Sequence, residues 1–266
     1  MRIDDLVTIA LAAGDEIMSI YNTDFDAGEK ADGSAITAAD EAAEQLILNE
    51  LAKLYPDTPV LAEECASRGE IPDLGDRFFL VDPLDGTREF VNRTGEFTVN
   101  IALIEHGAPV AGVVFAPALG RLWAGRQGDG AFAQAVKGSP FALTGDRHII
   151  RARPCPDEGR VAVASRSHRS PETEALLTHL GAEDFKPAGS SLKFCLVAEG
   201  EADVYPRLGR TMEWDTGAGQ AVLEAAGGCV HVLDGQTEGG PLRYRKEMRG
   251  YDNPHFIAWG QRPETG

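Results

Sequence analysis

An apolar run, Phe78-Phe79-Leu80-Val81, stops abruptly at Asp82-Pro83-Leu84-Asp85-Gly86-Thr87, and no other feature restricts the chain's folding as much. Pro restricts φ and Gly relaxes it, so the spacing predicts a strand over 78–81 ending in a sharp turn. Such a turn points Asp82 and Asp85 into one small volume. Neighbouring carboxylates repel unless something positive lies between them, and a hard divalent cation with oxygen ligands satisfies both. The competing reading is a plain surface turn, since Asp-Pro and Asp-Gly are ordinary turn dipeptides.

The flanking sequence says what this strand packs against. Ile3, Leu6, Val7, Ala10, Leu11, Ile17, Met18 and Tyr21 share one helical face, which predicts a helix over 4–22. Residues 23–36 read as a polar loop. Thr37 can cap a second helix over 38–54 with a buried stripe of Ala42, Ala43, Leu46, Ile47, Leu51 and Leu54. After 78–81, strands are expected at 97–105, 111–115, 121–126 and 131–134, separated by Gly-rich turns. Short strands and tight turns suggest an antiparallel sheet against the two N-terminal helices. Residues 144–159, with Pro154, Pro156 and several Arg, make the expected boundary.

Beyond the boundary, strands near 161–164, 183–185, 202–205, 229–233 and 256–259 alternate with helices near 171–180, 190–198 and 215–226. Alternation of this kind argues α/β layering with some parallel pairing. The 266 residues fit one large domain or two of about 110 to 150 residues, here drawn as an N-terminal α+β part, 1–155, and a C-terminal α/β part, 156–266.

Charge narrows the partners. With 42 acidic and 25 basic residues the formal charge is -17, so duplex nucleic acid or an anionic membrane would be repelled as a nonspecific partner. An anionic small substrate is compatible only where local cations or bound metal reverse the field. Residues 147–169 hold six Arg with His148 and His168, either an anion-facing surface or a solvated segment. Cys65, Cys155, Cys195 and Cys229 are scattered without CxxC spacing, which suits a reducing cytosol better than a disulfide framework. Cys195 reads as buried packing, and Trp123 and Trp259 as core or interface residues. The N-terminus reads as an amphipathic helix rather than a signal peptide, and no segment approaches the roughly 18 apolar residues of a membrane span. Oligomeric state has no readable signature.

Further acids stand at element ends: Asp40, Glu63-Glu64 and Asp215. Asp215 alone is equally well read as a helix cap, but Gly217 and Gly219 just after it need another reason, such as close approach of a backbone or a ligand. Together the acids suit a site for two or more magnesium ions that activates water and stabilises a leaving oxygen. Gly86 and Thr87 could offer backbone N–H groups to phosphate. Walker, dinucleotide and GxSxG signatures are missing.

The stretches Asp82-Pro83-Leu84-Asp85-Gly86-Thr87 and Glu213-Trp214-Asp215-Thr216-Gly217-Ala218-Gly219 resemble the two signatures of the inositol monophosphatase superfamily. Thr37-Ala38-Ala39-Asp40 and Ala62-Glu63-Glu64 match its accessory segments in order. The runs 95–104, 189–198 and 202–207 look like the bacterial 3′(2′),5′-bisphosphate nucleotidases of the CysQ type, and the likeness spans essentially the whole chain.

The resemblance implies a layered α/β/α/β/α sandwich with the acid site between two subdomains. It implies that Glu63, Asp82 and the Leu84 carbonyl hold one Mg2+, that Asp82, Asp85 and Asp215 hold a second, and that Glu63 shares a weaker third. Asp40 would pair with Thr87 to orient the attacking water, and Asp85, Gly86, Thr87 and Arg88 would contact the scissile phosphate. Arg88 stands where close relatives often have Lys, a planar fork in place of a point charge. For a second phosphate, Ser190, Ser191 and Lys193 begin a predicted helix, with Arg207 and Arg166 as further cations. The activity implied is removal of the 3′-phosphate of adenosine 3′,5′-bisphosphate to leave AMP, with some action on phosphoadenylyl sulfate, in sulfur assimilation. Lithium sensitivity and a cytoplasmic location follow from the same resemblance. Loose peripheral attachment to the cytoplasmic side of the inner membrane belongs to the closest group and is not encoded in composition. Inositol monophosphate, fructose bisphosphate and NADP remain alternative substrates, and Glu213 keeps the first open because an acid there meets substrate hydroxyls in inositol phosphatases. A non-catalytic bisphosphonucleotide-binding protein is the remaining alternative; it would lack one of the key acids or Thr87.

Overall fold

Alternate residues of the 78–81 run enter two different cores. Phe79 and Val81 join a cluster with Leu6, Ala10, Ile17, Ala43 and Ile47, whereas Phe78 and Leu80 join one with Phe194, Ala218, Val222 and Phe256. Period-two geometry makes this unavoidable for a strand covered on both faces.

The structure is a computed structural model that describes residues 1–23, 32–164 and 171–262, without the side chains of 32–36. In chain order its elements begin with α1 (Ile3–Tyr21), α2 (Asp32–Leu54), β1 (Val60–Ala62), α3 (Glu63–Ser67), β2 (Arg77–Asp85), α4 (Thr87–Val91) and β3 (Thr98–Glu105). Next come β4 (Ala108–Ala116), β5 (Arg121–Arg126), β6 (Gly130–Lys137), β7 (Ala142–Ile150), β8 (Arg160–Ala164), α5 (Pro171–His179) and β9 (Ala182–Pro187). The chain closes with α6 (Leu192–Ala198), β10 (Val204–Arg207), α7 (Trp214–Ala225), β11 (Cys229–Asp234), β12 (Thr237–Pro241) and β13 (Phe256–Trp259).

Strands β1 to β7 form a seven-stranded sheet in sequence order, antiparallel except that β1 runs parallel to β2. The second sheet has six strands, ordered β12-β11-β13-β10-β8-β9, with β10, β8 and β9 parallel. One face of the first sheet buries α1 and α2, its other face meets α6, α7 and the second sheet, and α5 covers the outside through Leu176 and Leu177. The layering is α/β/α/β/α, as expected.

Several boundaries differ from the sequence reading. Helix α2 begins at Asp32, so Thr37 lies inside it instead of capping it; residues 24–31 are outside the described ones. Its buried face is Ala39, Asp40, Ala43, Glu44, Ile47 and Leu51, while Leu54 is exposed. The face is rotated because two carboxylates point inward toward α3. Residues 144–150, assigned to the boundary, belong to β7, a polar edge strand with one buried residue. With eight of its nine residues at least partly exposed, this strand has no apolar alternation to read. Strand β12 was missed for the same reason.

Helix α7 fits between the sheets because the residues facing it are small. A Cβ on Gly112 would stand 2.7 Å from the Ala218 carbonyl oxygen, and one on Gly125 2.9 Å from Ala225 Cβ. On α7 itself, Gly219 faces the Phe194 ring, 2.4 Å from where its Cβ would be, and Gly217 faces Leu80 and Ala102. Both glycines therefore serve packing, not a ligand.

Candidate active site

The parallel pairing of β1 and β2 places the first two acids. Ala62 is opposite Val81, so Glu63, which opens α3 directly after β1, and Asp82, the next residue of β2, emerge at the same end of the sheet. Asp82 is 1% exposed. The expected turn after Val81 is instead a β-bulge inside β2: Asp82 faces Asn100 and Asp85 faces Thr98, three residues advanced against two. In a regular strand residues three apart point to opposite faces; the extra residue cancels that inversion. Leu84 N–H donates to Asp82 Oδ1 at 3.1 Å and fixes the bulge. Gly86 follows at φ +101°, with the Phe97 backbone 3.2 Å from where a Cβ would stand, so only glycine fits.

The other acids come from helices. Asp40 and Glu44 lie one turn apart on the inner face of α2, and Glu44 Oε2 accepts the Glu64 N–H at 2.8 Å, anchoring the first turn of α3. Asp215 is the second residue of α7, and its Oδ2 accepts the Met212 N–H at 2.8 Å.

Crowding shows in the proton affinities. Burial first, then Asp85, Glu64 and Glu44, push Glu63 up to about 7, while hydrogen-bond reach to Asp82 pulls it back. Asp82 is driven well above the usual carboxylate range by burial, then by Glu63, Asp85, Asp215 and Asp40. Burial and Asp85 lift Asp215 to about 7 against the opposing Met212 N–H. Asp40 reaches about 8, through burial and then Glu64, Glu63, Glu44 and Glu41. Among the described residues no Lys or Arg forms an ion pair with Glu63, Asp82, Asp85 or Asp215, nor do three His, Cys, Asp or Glu side chains close into a metal cage. An oxygen-rich, cation-poor set open on one side suits magnesium, which keeps waters and is completed by substrate phosphate.

The open side is a cavity of about 850 Å³, lined among others by Asp85, Gly86, Arg88, Ser190, Lys193, Arg207 and Asp215. Lys193 is 7% exposed, with Nζ donating to the Ser190 carbonyl at 2.7 Å; burial lowers it to about 8. Arg207 donates to the Arg210 carbonyl at 3.2 Å, and its buried Nε has no partner. Arg207 lines the cavity, where a planar cation is suited to an anionic ligand.

A model of the inositol monophosphatase family matches residues 3–256. The chain belongs to this family. The 3′(2′),5′-bisphosphate nucleotidases CysQ of Shigella flexneri and of Escherichia coli K12 are each 44% identical over 256 residues, covering 96% of this chain and 98% of theirs. Among solved structures, CysQ from Bacteroides thetaiotaomicron superposes with a TM-score of 0.82 at 39% identity, over 98% of this chain and 97% of that one. An inositol monophosphatase from Zymomonas mobilis gives a TM-score of 0.75 at 25% identity, over 97% and 92%. Phosphatases of the inositol monophosphatase family are metal-dependent, generally on Mg2+.

Against that family pattern, some expected residues sit elsewhere. Thr87 is exposed at the start of α4, Asp40 is buried among acids, and no hydrogen bond joins them. Ser190 and Ser191 do not cap α6. Their hydroxyls reach Asp85 Oδ2 at 2.5 Å and 3.4 Å, and Ser191 also donates to the Asp215 carbonyl at 3.0 Å. Glu213 is 0% exposed and accepts the Arg245 and Lys246 N–H groups and Lys246 Nζ, each at 2.8 Å, so its carboxylate is occupied away from the cleft. Arg166 and His168 lie outside the described residues. The basic segment is no single anion-facing surface where described: Arg147 pairs with Asp4, Arg153 with Asp203, and Arg160 with the Pro156 and Leu180 carbonyls. Sequence reading missed Glu44, although its i+4 spacing from Asp40 on a buried helix face was available. It also missed Asn253, whose amide holds the Met212 carbonyl at 2.7 Å and thus the segment bonded to Asp215; nothing local marks it.

Proposed function

We propose that this enzyme hydrolyses the 3′-phosphate of adenosine 3′,5′-bisphosphate to AMP and phosphate. Phosphoadenylyl sulfate is a second substrate, and the setting is sulfur assimilation in the cytoplasm. Full-length identity to bisphosphate nucleotidases motivates the reading. The observation that carries it is the cleft's lining, in which Asp85 and Asp215 are joined by three cations, Arg88, Lys193 and Arg207. A ligand matching that lining needs one phosphate for the metal-binding acids and a second anionic group for the remaining cations.

Glu63, Asp82, the Leu84 carbonyl, Asp85 and Asp215 would hold two magnesium ions, with a weaker third sharing Glu63. Ions there supply Lewis acidity and neutralise phosphate charge. The chain's own residues then divide the work. Arg88, exposed at the cavity wall, meets the phosphate being cut, and Lys193 with Arg207 holds the one that stays. Thr87 and Asp40 orient water once the site is loaded. Glu213, fully engaged by the 245–246 backbone, leaves no carboxylate for an inositol hydroxyl, which favours a nucleotide.

Released phosphate measured in parallel on adenosine 3′,5′-bisphosphate, adenosine 3′-monophosphate, inositol 1-phosphate, fructose 1,6-bisphosphate and NADP tests the assignment. Highest kcat/KM is expected for the first, with a loss of about 10-fold or more when the 5′-phosphate is missing. Preference for inositol phosphate would overturn it.

A further inference from the structure

Ser190 reaches across from the second half of the chain to Asp85 in the first, and what lies behind it gives that contact a direction. Its backbone has φ +48°, a left-handed conformation uncommon outside glycine. Its Oγ stands 2.5 Å from Asp85 Oδ2 and 2.5 Å from Thr98 Oγ1, and Thr98 Oγ1 is 3.2 Å from Asn100 Oδ1. Thr98 and Asn100 lie on one face of β3, opposite Asp85 and Asp82 in register, and are 0% and 1% exposed. Asn100 Nδ2 is buried without a partner.

Hydroxyl bookkeeping orders these contacts. Ser190 has one proton and spends it on the carboxylate, so Thr98 must donate to Ser190 Oγ. Thr98 then has no proton left for Asn100, which satisfies Thr98 only by offering an N–H. The amide oxygen and nitrogen of Asn100 therefore exchange places, as hydrogen-bond networks often require. Every donor in the resulting chain points toward Asp85.

We propose that Asn100, Thr98 and Ser190 form a one-way hydrogen-bond relay that positions Asp85 for the divalent ion. Ser190 and Thr98 are thus positioning residues for the metal site, not contacts of the substrate's second phosphate. The relay rests on reading Asp85 as a metal ligand. Because it is assembled from both halves of the chain, the orientation of Asp85 depends on how the two sheets pack. A carboxylate oxygen already held by a hydroxyl leaves its other oxygen in one orientation, which lowers the entropy lost on ion binding.

Mn2+ binding to the intact protein without substrate, followed by electron paramagnetic resonance of free Mn2+, tests the relay apart from turnover. Thr98→Val keeps shape and removes the hydroxyl; it is expected to weaken binding about 10-fold, the scale of a lost hydrogen bond to a charged group. Thr98→Ser is expected to stay within about 2-fold of wild type on the same scale. Ser190→Ala should weaken binding at least as much as Thr98→Val, and the double variant no more than Ser190→Ala, since both act through one bond. Wild-type affinity in a folded Thr98→Val, or additive losses in the double variant, would overturn the relay while leaving Asp85 as a ligand. If circular dichroism shows Thr98→Val unfolded, Ser190→Ala decides: wild-type affinity overturns the proposal and a loss of about 10-fold in the folded variant supports it. Failure of the wild type to bind Mn2+ would overturn the metal reading and the relay together.

Discussion

Lys193 shows how far a single residue's role depends on burial. From sequence it is either a phosphate ligand or a solvated helix residue. The fold removes the second option, placing the ammonium 5.6 Å from the Tyr205 ring centroid inside the cavity wall. Burial makes the charged form costly and lowers its proton affinity to about 8. A lysine lowered in this way is charged below that pH and neutral above it, so attraction for a second phosphate is lost as pH rises through about 8; a bound anion moves the transition upward. KM for adenosine 3′,5′-bisphosphate is therefore expected to climb in mildly alkaline solution, while KM for a monophosphate does not. Lys193→Ala should cut kcat/KM for the bisphosphate about 10-fold or more and remove that alkaline limb. Equal losses on both substrates would remove Lys193 from the second-phosphate site.

At the scale of elements, the start of α7 is held by the segment that follows β12. Glu213 binds the Arg245 and Lys246 N–H groups while Arg245 stands at φ +75° and Tyr251 at φ +66°, so a strained loop is fastened to a helix end by one buried carboxylate. Asn253 completes the attachment through Thr211, Met212 and Thr216. Glu213→Gln retains an acceptor but leaves Lys246 without its counter-charge, an expected loss of roughly 3–5 kcal/mol in denaturant unfolding. The ratio of nucleotide to inositol phosphate hydrolysis should not change, because the carboxylate faces the loop. A shift in that ratio with unaltered stability would return Glu213 to the substrate. Element identity was largely readable in this chain because α1, α7 and β2 to β5 bury one or both faces and carry strong periodicity. The missed strands, β7 and β12, are polar and lie at sheet edges, and α3 is too short to show a period.

Across the whole molecule, the acid cluster sets how stability responds to pH. Asp40, Glu63, Asp82 and Asp215 all have proton affinities raised above their unfolded values. For carboxyl groups raised in this way, their contribution is fully present below the unfolded pKa, near 4, and is lost as pH rises through the folded values of about 7 to 8. Asp203, lowered by the Arg153 guanidinium and the Val161 N–H despite its burial, acts oppositely and only at the acid end. Chelated protein should therefore show a falling Tm between about pH 5 and about pH 8, and saturating Mg2+ should flatten the decline. Asp82→Asn, which keeps shape and deletes one charge, should raise the Tm of the chelated protein at neutral pH and abolish the Mg2+ response together with turnover. A chelated wild type whose Tm is flat or rises over that range would contradict the crowding on which the metal site is argued.

The sequence by itself determined which atoms could do the chemistry. Carboxylates at Glu63, Asp82, Asp85 and Asp215 stand at the ends of apolar elements, and only their number, type and order were needed to see a site for hard cations. Alternation of elements showed the α/β character of the second half, whereas the full five-layer order was implied only by the family resemblance. Tertiary structure alone decided where the remaining polar groups point. Asp82 and Asp85 share a face through a bulge, which one extra residue in a ladder creates and no propensity records. Ser190 turns to Asp85, and Glu213 turns away from the cleft to a loop some thirty residues later. Each of these side chains could meet several partners in an unfolded chain; which one it meets depends on the packing of α6 and α7 between the two sheets, through long-range contacts that local sequence does not specify.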